Sequence, residues 1–444
     1  VATGMSESAP STLRRDLVSA YVASATRIAS WAAVSAIVYR ELGEYAFGLL
    51  ALIRGTIGLL SYTMLGLSPA MIHLLARRDH TSHRAILNSG MRLVVMGAGV
   101  GLVLLGAYVF AFDSIHAVPE HFLKIAPMTA FWMGVGILFR LCGDPASAVL
   151  QVQHRIALDN ILLALAEAAW AIVVGLAVYE HSARIDHVAA IYAGSGLLLM
   201  AARWYFAGRL TRASSGIGGD WKTVRMLVAF GVMVVLAQLA DYLYAPTDYI
   251  LINRLLGPQV VSAYAPAVQI DAGLLVLVGG LAAVLLPKAA MAHAAGDSAA
   301  VRRYYIRGTF ISIFLLLMAA AVAWMAGPLL LARWLGNPMP QTLVILPLVL
   351  IHTVIGGSSA VGRSILLGMG RVKAFTAAVL ISGAANVILS FTFVYFMNLG
   401  LKGIVYGTVV AVVGRCAIWM PWYVLRTIGE SNQILLTSPI EAIE

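Results

Sequence analysis

Charge is what this chain has least of. Asp, Glu, Lys and Arg make up only 11% of its 444 residues, against about 25% in an ordinary soluble protein. Long polar runs are missing as well. The longest polar connection runs from Arg209 to Arg225, far short of the roughly 50 residues a folded domain needs. That excludes a water-facing catalytic domain. Cysteine is nearly absent: Cys142 and Cys416 have neither metal-ligand spacing nor a secreted disulfide pattern. Both fall in or beside apolar stretches and read as packing residues. No phosphate-binding loop of the Gly-rich, Lys-Ser/Thr kind occurs, which argues against direct drive by ATP. Residues 1–12 are small and polar; they are expected to form a flexible N-terminus, without the basic-then-apolar pattern of a cleaved signal.

Apolar sequence fills the rest. Hydrophobic residues make up 61% of the chain and mean hydropathy is +0.88. About twelve stretches are each ~20 residues long, the length that crosses a bilayer. They fall at 17–39, 47–67, 86–112, 122–142, 157–178, 188–208, 223–247, 262–287, 304–326, 342–365, 373–397 and 402–425. The prediction is an all-α polytopic membrane protein of about twelve transmembrane helices. Lys and Arg concentrate in alternate connections: Arg14 and Arg15; Arg77, Arg78 and Arg84; Arg209, Arg212, Lys222 and Arg225; Lys288, Arg302 and Arg303; Arg371 and Lys373. The opposite connections carry about one each, such as Arg40, Arg254 and Lys402. Positive loops stay in the cytoplasm, so both termini are expected there. The net charge of +10 has the same origin and does not imply nucleic acid.

Several charges lie inside the apolar stretches: Arg27, Arg54, Glu167, Asp241, Asp271 and Arg415. An ionised side chain at mid-membrane costs at least roughly 2.5–3.5 kcal/mol, so such residues face a wet cavity or a partner. Arg140 and Arg203 are placed near cytoplasmic ends, within reach of headgroups. Arg363 stands beside Gly356-Gly357-Ser358-Ser359, a pattern for close helix contact or a bend. Gly97, Gly99 and Gly101 lack the strand that a nucleotide fingerprint needs before it; in a lipid-spanning helix they signify close packing. His352 reads as an interhelical hydrogen-bond donor. His80 and His83 have weak metal spacing and no further ligands.

One internal repeat is visible. Val38-Tyr39-Arg40-Glu41-Leu42-Gly43 follows the first span, and Ile252-Asn253-Arg254-Leu255-Leu256-Gly257 follows the seventh. Six intervening spans give both halves the same orientation, so the repeat axis lies along the membrane normal. The expected organisation is an N-lobe at 13–210, a cytoplasmic linker at 211–221, a C-lobe at 222–428 and a tail at 429–444. The offset of 214 residues sets Arg27 opposite Asp241, and Arg54 opposite Val268, one turn from Asp271. A cationic lobe facing an acidic one suits an anionic cargo and a coupling cation. The alternative is that these residues simply tie the halves together as ion pairs.

Three patches carry a family resemblance. Residues 38–49, VYRELGEYAFGL, resemble the stretch after the first span of bacterial polysaccharide flippases of the Wzx type. Leu65-Gly66-Leu67-Ser68-Pro69-Ala70 is similar to the break that ends their second span, and Asp248 to Pro258, with Ala263-Tyr264, to the start of their second half. The family belongs to the multidrug/oligosaccharidyl-lipid/polysaccharide exporter superfamily. The resemblance implies two pseudo-twofold-related six-helix bundles around a central cavity. It also implies a cargo: an undecaprenyl-diphosphate-linked oligosaccharide of polysaccharide or O-antigen synthesis. That cargo would cross from the cytoplasmic to the periplasmic leaflet of the bacterial inner membrane, in company with a polysaccharide polymerase and a chain-length regulator.

Lipid II flippases carry arginines in their first two spans, and Arg27 and Arg54 look like the matching positions. The twelve spans expected here do not include those proteins' two extra C-terminal spans, which weakens the lipid II reading. Arginine's fixed fork of donors suits a diphosphate. Arg27 and Arg54, with Arg363, are therefore the expected phosphate-binding residues, and Tyr21, Tyr62, Trp204 and Tyr264 are candidates to stack on sugars. Asp241, Asp271 and Glu167 are the candidates to bind Na+ or H+, with helix–helix hydrogen bonding an equal alternative for Glu167, which is alone in its span, and with Asp248 placed at the periplasmic mouth. The rivals are a multidrug antiporter of the same superfamily, against which cavity arginines argue by repelling a cationic cargo, a lipid II flippase, and a membrane glycosyltransferase or polymerase. The last would need a sizeable outer loop rich in carboxylates.

Overall fold

The computed structural model describes residues 10–64, 67–75, 80–180, 184–211, 220–229, 232 and 245–437. These form helices and short connections, with no strand among the described residues. The chain divides into two compact units, Val1–Leu236 and Ala237–Glu444.

In the first unit, α1 (Pro10–Ile37) continues into a wide π-helical turn, Val38–Leu42. Then come α2 (Glu44–Ile57), which tightens into a 3-10 segment at Gly58–Met64, α3 (Leu67–Leu75) and α4 (His80–Phe110). The short α5 (Phe112–Ile115) and a 3-10 turn lead to α6 (Ile125–Cys142), α7 (Asp144–Val152), α8 (Ile156–Tyr179) and α9 (Ile185–Thr211). A further helix, α10, covers 221–229.

The glycines of α4 act by packing. A Cβ on Gly97 would stand 2.8 Å from the Thr63 carbonyl oxygen, and one on Gly101 would stand 2.6 Å from Leu138 Cδ2. Gly99 faces open space. Two of the three therefore let α4 approach its neighbours closely, as small residues do between membrane helices. Where α1, α8 and α9 meet, Trp31, Trp170 and Tyr192 pack ring against ring, 4.5–5.6 Å between centroids. The Trp170 indole N–H donates to the Val188 carbonyl at 3.2 Å, so its one polar group is satisfied in the core.

The second unit holds α11 (Ala245–Leu255), α12 (Val260–Ala294), α13 (Ser298–Leu335), α14 (Pro340–Gly368), α15 (Val372–Tyr395), α16 (Gly400–Val412), a π-helical stretch at Val413–Trp419, and α17 (Met420–Thr437). Asp297 caps α13 by accepting the Ala300 N–H at 2.8 Å. The core forms where α12, α14, α15 and α17 converge on Leu285, Ile365, Phe375 and Val424. The outer face of α13 exposes Phe310, Phe314, Val322 and Met325, which suits a helix bathed in lipid and not in water.

Eleven helices among the described residues are long and apolar enough to cross a membrane. The remaining expected span, 223–247, falls largely on positions outside the described residues. The protein is a multi-pass α-helical membrane protein. Some helices exceed their expected spans: α13 runs Ser298–Leu335 where the apolar window is 304–326. Its first turns carry Arg302 and Arg303, which end an apolar run without ending a helix. The repeat has a local cause in each unit. Gly43 closes the turn after α1 with φ 90°, and Gly257 follows α11 with φ 100°, a region where only glycine avoids strain.

Candidate functional site

Within the second unit, α12, α14, α15, α16 and the π-helical stretch enclose a cavity of about 400 Å³. Helical spacing builds its walls. Tyr264, Val268, Asp271 and Leu275 recur at steps of three and four on α12, as do His352, Gly356, Ser359 and Arg363 on one stripe of α14. Thr408 and Arg415 contribute from the last wall. Gly357 permits the close fit of α14, since a Cβ there would meet Leu275 and Leu316 at 2.7 Å.

The polar groups are sorted along this cavity. Thr353 donates to Asp271 Oδ1 at 2.6 Å, and His352 Nδ1 lies 3.9 Å from the same oxygen. Asp271 is buried. Arg363 follows His352 on α14 by about 16 Å of helix rise, and Arg415 follows Thr408 by about 10 Å. One end of the cavity is thus acidic and the other carries two guanidinium groups.

A second carboxylate lies directly behind the wall. Asp248 on α11 is fully buried. It accepts hydrogen bonds from Thr408 Oγ1 at 2.7 Å, Tyr264 Oη at 3.0 Å and Asn386 Nδ2 at 3.0 Å. Thr408 also approaches Asn386 Oδ1 at 3.0 Å, and Ser390 donates to the Ile404 carbonyl at 3.1 Å. Asp248, Tyr264, Asn386, Ser390, Ile404 and Thr408 therefore bring together a small buried cluster of polar groups around one carboxylate, here called the cage. Hard cations take oxygen ligands, and the carboxylate, hydroxyl and carbonyl oxygens here could supply them if Asn386 turned away the amide nitrogen that now donates to Asp248. Tyr264 and Thr408 belong to both the cage and the cavity wall, so the two are mechanically joined. The placement corrects the expectation that Asp248 opens at a periplasmic mouth: α12, α15 and α16 close over it.

The remaining expected residues fall as follows. Tyr264, Asp271 and Arg363 meet in the cavity, and Arg415, left open by the sequence, joins them. Arg27 and Tyr21 are exposed on α1, and Tyr62 is half-buried. Arg54 is exposed on α2 with its guanidinium 3.7 Å above the Trp31 ring. Asp241 lies outside the described residues. Glu167 is buried and paired: Arg140 Nη2 donates to its Oε1 at 3.0 Å and to Ser195 at 3.1 Å, with the guanidinium 3.9 Å from the Tyr192 ring.

Two arginines expected among headgroups are instead interior. Arg140 belongs to the pair just described. Arg203 is 7% exposed and donates to Asp159 Oδ1 at 2.8 Å. Each has a carboxylate from a neighbouring helix, a cheaper environment than the bilayer. Sequence reasoning missed Asn386, Ser390 and Thr408 because neutral polar residues are ordinary in membrane helices and carry no signal alone. The i, i+4 spacing of Asn386 and Ser390 was the available hint.

Comparison with known proteins agrees with this picture. The polysaccharide biosynthesis protein family model matches residues 18–293, and the MatE model matches residues 234–392. An uncharacterized membrane protein, EpsK, of Bacillus subtilis is 23% identical over 409 residues, covering 90% of this chain and 80% of that protein. A probable multidrug resistance protein, NorM, of Rhizobium meliloti is 31% identical over 113 residues, 25% of this chain and 24% of that protein. Among solved structures, an inward-facing multidrug resistance MATE family transporter of the MOP superfamily superposes with a TM-score of 0.79 at 14% identity, over 93% of this chain and 99% of that one. An outward-facing structure of such a transporter gives 0.71 at 15% identity, over 96% and 97%. The fold is that of the MATE transporters, and the chain belongs to the polysaccharide biosynthesis protein family, within the multidrug/oligosaccharidyl-lipid/polysaccharide exporter superfamily of membrane transporters.

Proposed function

We propose that this transporter is a flippase for an undecaprenyl-diphosphate-linked oligosaccharide, working from the cytoplasmic to the periplasmic leaflet of the bacterial inner membrane with both termini in the cytoplasm. The observation that carries the reading is the pair of guanidinium groups, Arg363 and Arg415, lining a cavity inside a membrane unit. Such groups match phosphate oxygens with paired donors. Arg27 and Arg54, exposed on membrane helices, extend the same chemistry on the other lobe. Aqueous space takes the sugars, and the prenyl chain stays in lipid. The flipped product is the substrate of a polysaccharide polymerase working with a chain-length regulator.

Coupling is assigned to Na+ or H+ at the second unit's carboxylates, Asp248 in its cage and Asp271 beside His352. A cation in the cage offsets the cost of a buried charge and holds Tyr264 and Thr408, which form the cavity wall. Differential occupancy then biases two positions of the lobes, 13–210 and 222–428. Glu167 keeps a structural role through Arg140.

The MatE match over residues 234–392 supports a second reading, a cation antiporter of the multidrug type. Proteoliposomes decide between them. In the flippase reading, a fluorescent undecaprenyl-diphosphate-linked oligosaccharide becomes accessible on the opposite leaflet. Arg363→Gln and Arg415→Gln each slow that step at least tenfold, the cost of about one lost charge-assisted phosphate contact. Ethidium export driven by a Na+ or H+ gradient, without movement of the lipid-linked sugar, would replace the flippase reading with the antiporter.

A further inference from the structure

At the start of α13 a groove of about 590 Å³ opens between α13 and α17. Three arginines, Arg302, Arg303 and Arg307, line it together with the apolar side chains of Ile306, Leu425 and Ile428. All three arginines are exposed, and none has a carboxylate within 4.0 Å among the described residues. The neighbouring Arg426 differs: it is paired with Glu430 at 2.8 Å and lies 5.4 Å from the Trp422 ring. Glu430 is thus already engaged.

The groove sits at the membrane surface by two independent marks. Trp422, on α17 beside Leu425, is half exposed, and tryptophan concentrates where hydrocarbon gives way to headgroups. Phe310 and Phe314 follow Arg307 on α13, are 69% and 65% exposed, and lie within acyl-chain depth. A cationic rim therefore passes into an apolar floor, and the floor into a lipid-facing helix. That sequence of environments matches a single molecule with a phosphate at one end and hydrocarbon at the other. Free phosphate would leave Ile306, Leu425 and Ile428 uncovered.

We infer that the groove of Arg302, Arg303 and Arg307 is a binding site for the headgroup of an anionic phospholipid on the loop side of α13, separate from the cargo cavity. The floor receives the upper part of one acyl chain, and the guanidinium groups take the phosphodiester. The site is independent of what the transporter carries.

Native mass spectrometry of the full purified chain tests this. The protein is titrated with dioleoylphosphatidylglycerol, dioleoylphosphatidylcholine or inorganic phosphate. Phosphatidylglycerol is expected to bind well above phosphatidylcholine, and inorganic phosphate not to compete with it at millimolar concentration. Arg302→Gln/Arg303→Gln/Arg307→Gln is expected to weaken the phosphatidylglycerol complex on the order of a hundredfold, from about fivefold per basic side chain. Lys288→Gln/Lys373→Gln, which removes two charges outside the groove, leaves it unchanged. Arg303→Gln alone serves if the triple variant does not fold, with a loss of about fivefold. Equal binding of the two lipids, an unaltered complex in the groove variants, or displacement by inorganic phosphate would each overturn the inference.

Discussion

Asp248 and Glu167 are both buried carboxylates in membrane helices, yet their surroundings assign them different work. Glu167 has a guanidinium at 3.0 Å. Asp248 has hydroxyl and amide donors from Thr408, Tyr264 and Asn386. Glu167 already has a formal countercharge, whereas the neutral donors around Asp248 leave its charge to be balanced by a mobile cation or proton. In detergent, Na+ is expected to raise the melting temperature of the wild type, by linkage of about 2.7 kcal/mol at a hundred times the dissociation constant. Choline at equal ionic strength is not. Asp248→Asn removes the Na+ response, and Thr408→Ala weakens it. A Na+ response of full size in Asp248→Asn would rule the cage out as the ion site.

For Glu167 the expectation is one of stability. Glu167→Gln leaves Arg140 buried beside a neutral partner. Breaking a buried pair from one side costs about 3–5 kcal/mol. Removing both charges with Arg140→Met/Glu167→Leu is expected to recover most of that loss, because packing replaces a desolvated pair. Thermal unfolding of the three proteins measures this. Equal melting of wild type and Glu167→Gln would mean that water reaches the pair.

Among the elements, α4 offers the sharpest contrast between sequence and space. Three glycines two residues apart look equivalent in sequence, and their repetition implied close packing. The helix turns about 200° between alternate positions, so the three cannot all face one neighbour. Gly97 meets the backbone at Thr63, Gly101 meets Leu138, and Gly99 meets nothing within 4 Å. Gly99→Ala is therefore expected to stabilise the fold by up to about 1 kcal/mol through helix propensity. Gly97→Ala, pressing on a carbonyl that cannot swing away, destabilises it by about 1–3 kcal/mol. Melting temperatures of the two variants should fall on opposite sides of the wild type. A rise in both would show that α4 can move outward without penalty.

At the scale of the whole molecule, what could be read from sequence was whatever hydropathy and charge encode directly. The apolar spans, the Arg-x-Leu-Gly turns and the presence of Asp271 and Arg363 inside apolar stretches belong to that class. The partners of Arg140 and Arg203 did not, because an interior ion pair needs two helices far apart in sequence to meet. Helix length also escaped: α13 continues past its apolar window because backbone hydrogen bonds do not end where lipid does.

Orientation is the remaining whole-chain property, and it rests on loop charge. The connection between Arg209 and Arg225 holds four basic residues, and the one around Asn337 has a single arginine nearby, Arg333. The electrical asymmetry of insertion is expected to retain the first in the cytoplasm and to let the second cross. With Cys142 and Cys416 replaced by alanine, Asn337→Cys is expected to react with a membrane-impermeant maleimide in intact spheroplasts. Ser214→Cys is expected to react only after permeabilisation. The reverse labelling pattern would invert the molecule. The three-arginine groove at α13 would then face the periplasm, and the direction of transport proposed from the loop charges would have to be reversed with it.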